Sequence, residues 1–106
     1  MSDTPTPEAI FTSLQRSFAG RLDVKLTTGP SDAPLLKAAG ESFAMLYDDR
    51  LVVRLHPIRC QELVDAGKGN LLVLDGKELE DWFCVNGIDA AEWTSHTMEA
   101  LAWAKG

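Results

Sequence analysis

The sequence predicts a single α+β domain in which an antiparallel sheet carries an N-terminal, a middle and a C-terminal helix. Three observations predict it. The stretch Leu35–Leu55, LLKAAGESFAMLYDDRLVVRL, splits into three short apolar runs at Ala39-Gly40-Glu41 and Tyr47-Asp48-Asp49-Arg50, the pattern of a three-stranded meander. Three stretches with apolar residues at helical spacing lie before, between and after the strand-like runs, the order of an α+β fold. The chain has 106 residues, 45% of them hydrophobic and 25% charged, enough for one core without disulfides or a metal.

Residues 1–6 are polar and expected to be a disordered tail, leaving 7–106 as the domain. Thr6 suits an N-cap, Pro7 the first helical position and Glu8 the positive end of a helix dipole. Ile10, Phe11, Leu14 and Phe18 then recur at helical spacing up to Gly20, so the first helix is placed at about 7–19. Leu22, Val24 and Leu26 alternate with Asp23 and Lys25 as in a half-buried strand. Thr27–Asp32 is a loop centred on Gly29-Pro30 and lacks the ending a phosphate-binding loop needs.

In the meander, simple alternation puts Phe43 and Met45 on one face and Ser42, Ala44 and Leu46 on the other. The next strand puts Leu51, Val53 and Leu55 on one face and Val52 and Arg54 on the other. Neither face of that strand is wholly polar, so helices should cover one side and something partial the other. Leu51, Val53 and Leu55, with Phe43 and Met45, are the expected core. Pro57 opens a helix to about Ala66, with Ile58, Leu63 and Val64 inward and Gly67 as its stop.

Lys68-Gly69-Asn70 reads as a loop, Leu71–Leu74 as a strand and Asp75-Gly76 as a turn. Asp81–Val85, with Trp82 and Phe83, reads as a further strand; the stretch before it, Asp75–Glu80, is equally compatible with an irregular loop. Asn86-Gly87 turns the chain, and Asp89-Ala90-Ala91-Glu92 fits a variant of the capping box. The last helix follows at about 90–104, with Ala90, Trp93, Thr97, Ala100, Leu101 and Ala104 on one stripe.

These residues carry a resemblance. Leu36-Lys37, a Gly turn, Phe43-Ala44-Met45-Leu46, an acidic turn with Arg50, Leu51-Val52-Val53-Arg54-Leu55 and a Pro-initiated helix ending Leu63-Val64-Asp65-Ala66-Gly67 resemble the N-terminal domain of TfoX/Sxy-like proteins. They are also similar to the MmcQ/YjbR group. The likeness continues through Trp82-Phe83 to the helix near Trp93, covering roughly residues 35–104. It departs at Leu35-Leu36 and Ala38-Ala39, where a Gly-rich entry is common. The resemblance implies a strongly bent antiparallel sheet and a regulatory role of the kind linked to competence genes, or DNA binding.

The charge balance bounds the function. Net charge is −6, which argues against a dedicated duplex-binding domain, since such domains neutralise phosphates with Lys and Arg. From Asp75 to Glu92 the acids Asp75, Glu78, Glu80, Asp81, Asp89 and Glu92 face Lys77 alone; a solvated edge explains such a segment without a partner. The start MSDTPTPEAI has neither a basic region nor an apolar core, and no run is long enough for a membrane helix. Cys60 and Cys84 form no CxxC pair. A cytoplasmic protein with reduced thiols is expected.

Four sets of residues are candidates for chemistry. Lys37, Arg50, Arg54, His56 and Arg59 form a basic set that would bind nucleic acid or an acidic partner protein; the alternative is a solvated sheet face with Arg54 paired to Asp48 or Glu41 or stacked on Tyr47. His56, Cys60, Cys84 and His96 are zinc-ligand types, but their spacing matches no closed site. Cys60, Ser42 and Ser95-His96 have no converging base and orienting acid, so no enzyme activity and no cofactor are expected. Phe43, Met45, Trp82 and Trp93 would line an apolar pocket between sheet and helices, or belong to the core. Trp103, off the main stripe, is the residue for contact with a partner protein or a second copy. The function expected is a small non-enzymatic regulatory binding module, the alternative a small-molecule-binding domain.

Overall fold

The structure, a computed structural model, describes residues 6–21, 23–29 and 32–105. The expected tail before Thr6, the strand residue Leu22 and the loop residues Pro30 and Ser31 lie outside the described residues. Helix α1 spans Pro7–Ala19, and Thr6 caps it by accepting from the Ala9 N–H. Strands β1 (Val24–Thr28), β2 (Pro34–Ala38), β3 (Glu41–Tyr47) and β4 (Arg50–Arg54) follow. Helix α2 (Pro57–Asp65) leads to β5 (Gly69–Leu74) and β6 (Lys77–Val85), and α3 (Ala90–Ala104) ends the fold. The stretch open to two readings, Asp75–Glu80, is a turn followed by the first half of β6.

One six-stranded sheet runs β1-β2-β3-β4-β6-β5, and every described pairing is antiparallel. Three of its connections are two-residue turns with both central residues at positive φ: Ala39-Gly40, Asp48-Asp49 and Asp75-Gly76. Such turns match the right-handed strand twist, and aspartate tolerates the left-handed region better than most residues. No helix among the described residues is long and apolar enough to cross a membrane.

The main core lies between one sheet face and the helices. Phe11, Leu14 and Phe18 of α1, and Trp93, Ala100 and Leu101 of α3, pack there on Leu36, Phe43, Ala44, Leu51, Val53 and Phe83. The Phe18 and Phe43 rings meet edge to face at 6.2 Å. Trp93 is fully buried, and its indole N–H donates to the Gly87 carbonyl at 3.2 Å.

Two expectations are corrected here. Phe43 and Met45 do not share a face. Leu36 pairs with Ala44 but Lys37 pairs with Ser42, leaving Phe43 as the extra residue of a β-bulge. A bulge puts two consecutive side chains on one side. Phe43 and Ala44 therefore both join the helix-side core, and Met45 points to the opposite face. In α2, Ile58 is 66% exposed while Cys60 and Leu63 are buried. At 100° per residue, Ile58 lies about 200° from Cys60 and cannot share its face.

The second bend shapes the other face. Leu71 pairs with Phe83, but the next residue, Leu72, pairs with Leu79. Asp81 and Trp82 turn instead toward β4: Trp82 pairs with Arg54, and the Asp81 carbonyl accepts from the Leu55 N–H at 3.0 Å. The outer half of the β5–β6 hairpin is thereby freed to curl. Leu72, Leu74 and Leu79 join Leu35, Met45, Val52 and Cys84 in a second, smaller cluster. In a flat sheet β5 would lie three strands from β3, about 14 Å away. Side chains of β3 and β5 sharing one cluster mark a bend in the sheet.

Candidate functional site

The curl leaves a groove between the hairpin and the open sheet face. Its volume is about 280 Å³, and it is lined by Thr28, Gly29, Leu35, Lys37, Ser42, Met45, Leu72, Leu74 and Trp82. Residues from β1 and β5 meet across it, although five strand steps would separate them by about 24 Å in a flat sheet. The floor is Leu35 and Met45. Leu72, Leu74 and Trp82 form the hairpin wall, and Lys37 is the one charged residue among the described lining.

Among the described residues, the four side chains expected to line one pocket between sheet and helices are divided between the two sheet faces. Phe43 and Trp93 are fully buried in the helix-side core. Met45 and Trp82 lie on the other face and line the groove. The bulge at Phe43 is the cause of this separation. Thr28, Gly29, Leu72 and Leu74 were not foreseen as lining residues, because they reach the site only through the second bend.

The basic set does not form one positive surface. Arg54 donates from Nη1 to Glu41 at 2.6 Å and from Nε to Asp81 at 3.0 Å, and its guanidinium lies over the Trp103 ring at 5.4 Å. The bond to Asp81 first, then that to Glu41, raises its already high pKa. Glu41 is thus the expected partner, whereas the proposed contacts with Tyr47 and Asp48 are replaced by Trp103 and Asp81. Arg59 pairs with Glu99 at 2.8 Å and with Glu62 at 3.5 Å. His56 caps α2, its Nδ1 accepting from the Ile58 N–H at 3.1 Å. Among the described residues Lys37 and Arg50 form no ion pair. Lys37 stands directly opposite Lys25 in register, a neighbour the basic set left out. A second hollow next to the groove, about 580 Å³, is lined by Lys25 and Lys37 together with Asp23 and Lys105.

The cysteines are on opposite sides of the sheet, Cys60 with the helix-side core and Cys84 with the smaller cluster. Both are free. His96 packs edge-on to Phe83 at 6.2 Å, and burial holds its pKa below the usual imidazole range. The two cysteines of the zinc-type set are thus on different faces, as its spacing, which matches no closed site, implied. Among the described residues no three His, Cys, Asp or Glu side chains converge as a metal site.

Cys60 donates to the Leu55 carbonyl at 3.6 Å, and burial pushes its thiol up to about 11. A thiol this basic is not a nucleophile at neutral pH. The raised value favours the protonated thiol in the fold. Its contribution to stability is therefore complete below the ordinary value of 9.0 and is lost as pH climbs from there through about 11. Urea midpoints measured from pH 8 to 11.5 should fall more steeply for the wild type than for Cys60→Ala. Parallel profiles would contradict the assignment.

A further hollow, about 660 Å³, gathers Glu8, Asp32, Asp48 and Asp49 with Tyr47 and Val73 and has no cation in its described lining. The acidic stretch from Asp75 onward is put to structural use in part. Asp81 holds Arg54, Asp89 caps α3 through the Glu92 N–H, and Glu92 lies 4.0 Å from Lys68. No protein-family model, curated protein or solved structure matches the chain.

Proposed function

We propose that this protein is a small non-enzymatic binding module, of the TfoX N-terminal-like type, whose site is the groove under the β5–β6 hairpin. The observation that carries the reading is the largely apolar lining of that groove. Leu35, Met45, Leu72, Leu74 and Trp82 line a hollow with a charged and a hydroxyl side chain at one end, Lys37 and Ser42. A mostly apolar concavity with a few convergent polar groups is the usual form of a small-ligand site. The polyanion reading has less support, because Arg54 and Arg59 are held by carboxylates. A regulatory role fits a module whose curled hairpin would be braced by an occupant. A cytoplasmic setting fits two cysteines that are free and on opposite faces.

The test uses a neutral aromatic probe, 4-phenylbutanamide, titrated into the ¹⁵N-labelled full chain. The reporter is the Trp82 indole N–H, identified by its disappearance in Trp82→Phe. The wild type should show a saturable shift at this resonance, and Ser42→Trp, which fills the hollow, should abolish it. Double-stranded DNA at physiological salt should move no resonance of the sheet. Absence of any shift with the amide, or tight DNA binding whose salt slope falls on changing Lys37 and Arg50, would overturn the proposal.

A further inference from the structure

The row of residues crossing β1, β2 and β3 at one end of the groove is unusual for a sheet. Lys25 pairs with Lys37, and Lys37 pairs with Ser42. Side chains directly opposite in adjacent strands share a face, with Cβ atoms roughly 5 Å apart, and like charges placed so are destabilising. The arrangement is not relieved within the protein. Among the described residues neither lysine forms an ion pair, and Asp23, beside them in the neighbouring hollow, is engaged by Lys105 and Arg21. Both lysines are exposed, so water screens their repulsion, and the pair sets a positive potential at the end of the groove.

We infer that Lys25 and Lys37 form a clamp for the carboxylate of a compact apolar acid whose body lies in the groove; the inference rests on the groove being a ligand site. Lys37 lines both the groove and the adjoining hollow shared with Lys25, so it stands where the two meet. The Ser42 hydroxyl, next in the row and also in the groove lining, supplies a further donor. Beyond this polar end the lining is mostly apolar, with Leu35 and Met45 below and Trp82 at the side, and Thr28 the one further hydroxyl. One end of the ligand is therefore anionic and the rest hydrophobic, with a flat face for Trp82. Size narrows the class further. About 280 Å³ lies just below the usual range of ligand sites. It holds a monocarboxylate with one ring or a short acyl chain and excludes a nucleotide or a long-chain lipid.

The test compares 4-phenylbutanoate with 4-phenylbutanamide, which differ in charge and little in shape, in wild type and in the Lys25→Gln/Lys37→Gln double variant of the full chain. Binding is read at the Trp82 indole N–H. In the wild type the carboxylate should bind at least about ten-fold more tightly than the amide, and more weakly as salt rises. The double variant should bind both alike, at the level of the wild type with amide. It should also melt no lower than wild type at low salt, because the substitution removes a repulsive pair, so lost affinity would not reflect unfolding. Equal binding of acid and amide to the wild type would overturn the clamp and leave the groove as a neutral-ligand site. Failure of both compounds to shift Trp82 would overturn the clamp and the groove together.

Discussion

Gly69→Ala is expected to destabilise the protein by more than about 3 kcal/mol, through a backbone collision that small shifts cannot relieve. Gly69 is buried at the start of β5, opposite Val85. A Cβ there would lie 1.9 Å from the Cys84 carbonyl oxygen and 2.7 Å from Cζ of Phe83. The oxygen belongs to the strand that Gly69 pairs with, so it cannot move alone. Retreat of β5 would break the ladder to β6 and the Asn86 N–H to Lys68 carbonyl bond of 2.9 Å. It would also withdraw Leu72 and Leu74 from the groove. Gly67, two residues earlier, is the control. Its φ of +76° favours glycine, but nothing lies within 4 Å of an added Cβ. Gly67→Ala should cost about 1–2 kcal/mol, from backbone strain alone. Urea unfolding of the two variants separates the mechanisms. A Gly69→Ala loss no larger than that of Gly67→Ala would show that β5 yields to the added methyl.

The two glycines also show where the sequence is readable. Local devices are legible, because their residue types carry their own geometry. Thr6 and Asp89 cap helices where they should, and the three two-residue turns fall on the Gly and Asp clusters. The helix bounds of α1 and α3 follow from periodicity and caps alone. Gly69 reads as loop punctuation, since a glycine required by a close approach from another strand has the same letter as one required by a turn. The same limit hides both bends. An extra residue in a ladder exists only relative to its partner strand, so nothing within Ser42–Met45 announces it. The groove depends on those bends. Sequence reasoning therefore found Met45, Trp82 and Lys37 but assigned them to two sites and joined two of them to Phe43 and Trp93. Lys25 was visible as a polar residue of an alternating strand, but its place opposite Lys37 follows from register.

Phe43→Ala should cost about 3–5 kcal/mol, the range for emptying a phenylalanine site in a packed core. Phe43 is fully buried, and its ring meets Phe18 across the interface between α1 and the sheet. Its neighbours in the packed core relax only partly into the void it leaves. The same substitution bears on the site. Were the ligand pocket between sheet and helices, as simple alternation in β3 implies, removing Phe43 would change affinity directly. With Phe43 on the helix side and Met45 on the groove side, the folded fraction of Phe43→Ala should bind 4-phenylbutanamide as the wild type does, whereas Met45→Ala should weaken binding in proportion to its lost contact. Affinity measured at low temperature, where Phe43→Ala remains mostly folded, distinguishes the two geometries. Loss of binding in Phe43→Ala with retention in Met45→Ala would return the site to the helix side of the sheet. The opposite pattern makes a one-residue insertion in β3 the feature that assigns neighbouring side chains to separate jobs, Phe43 to the core and Met45 to the ligand.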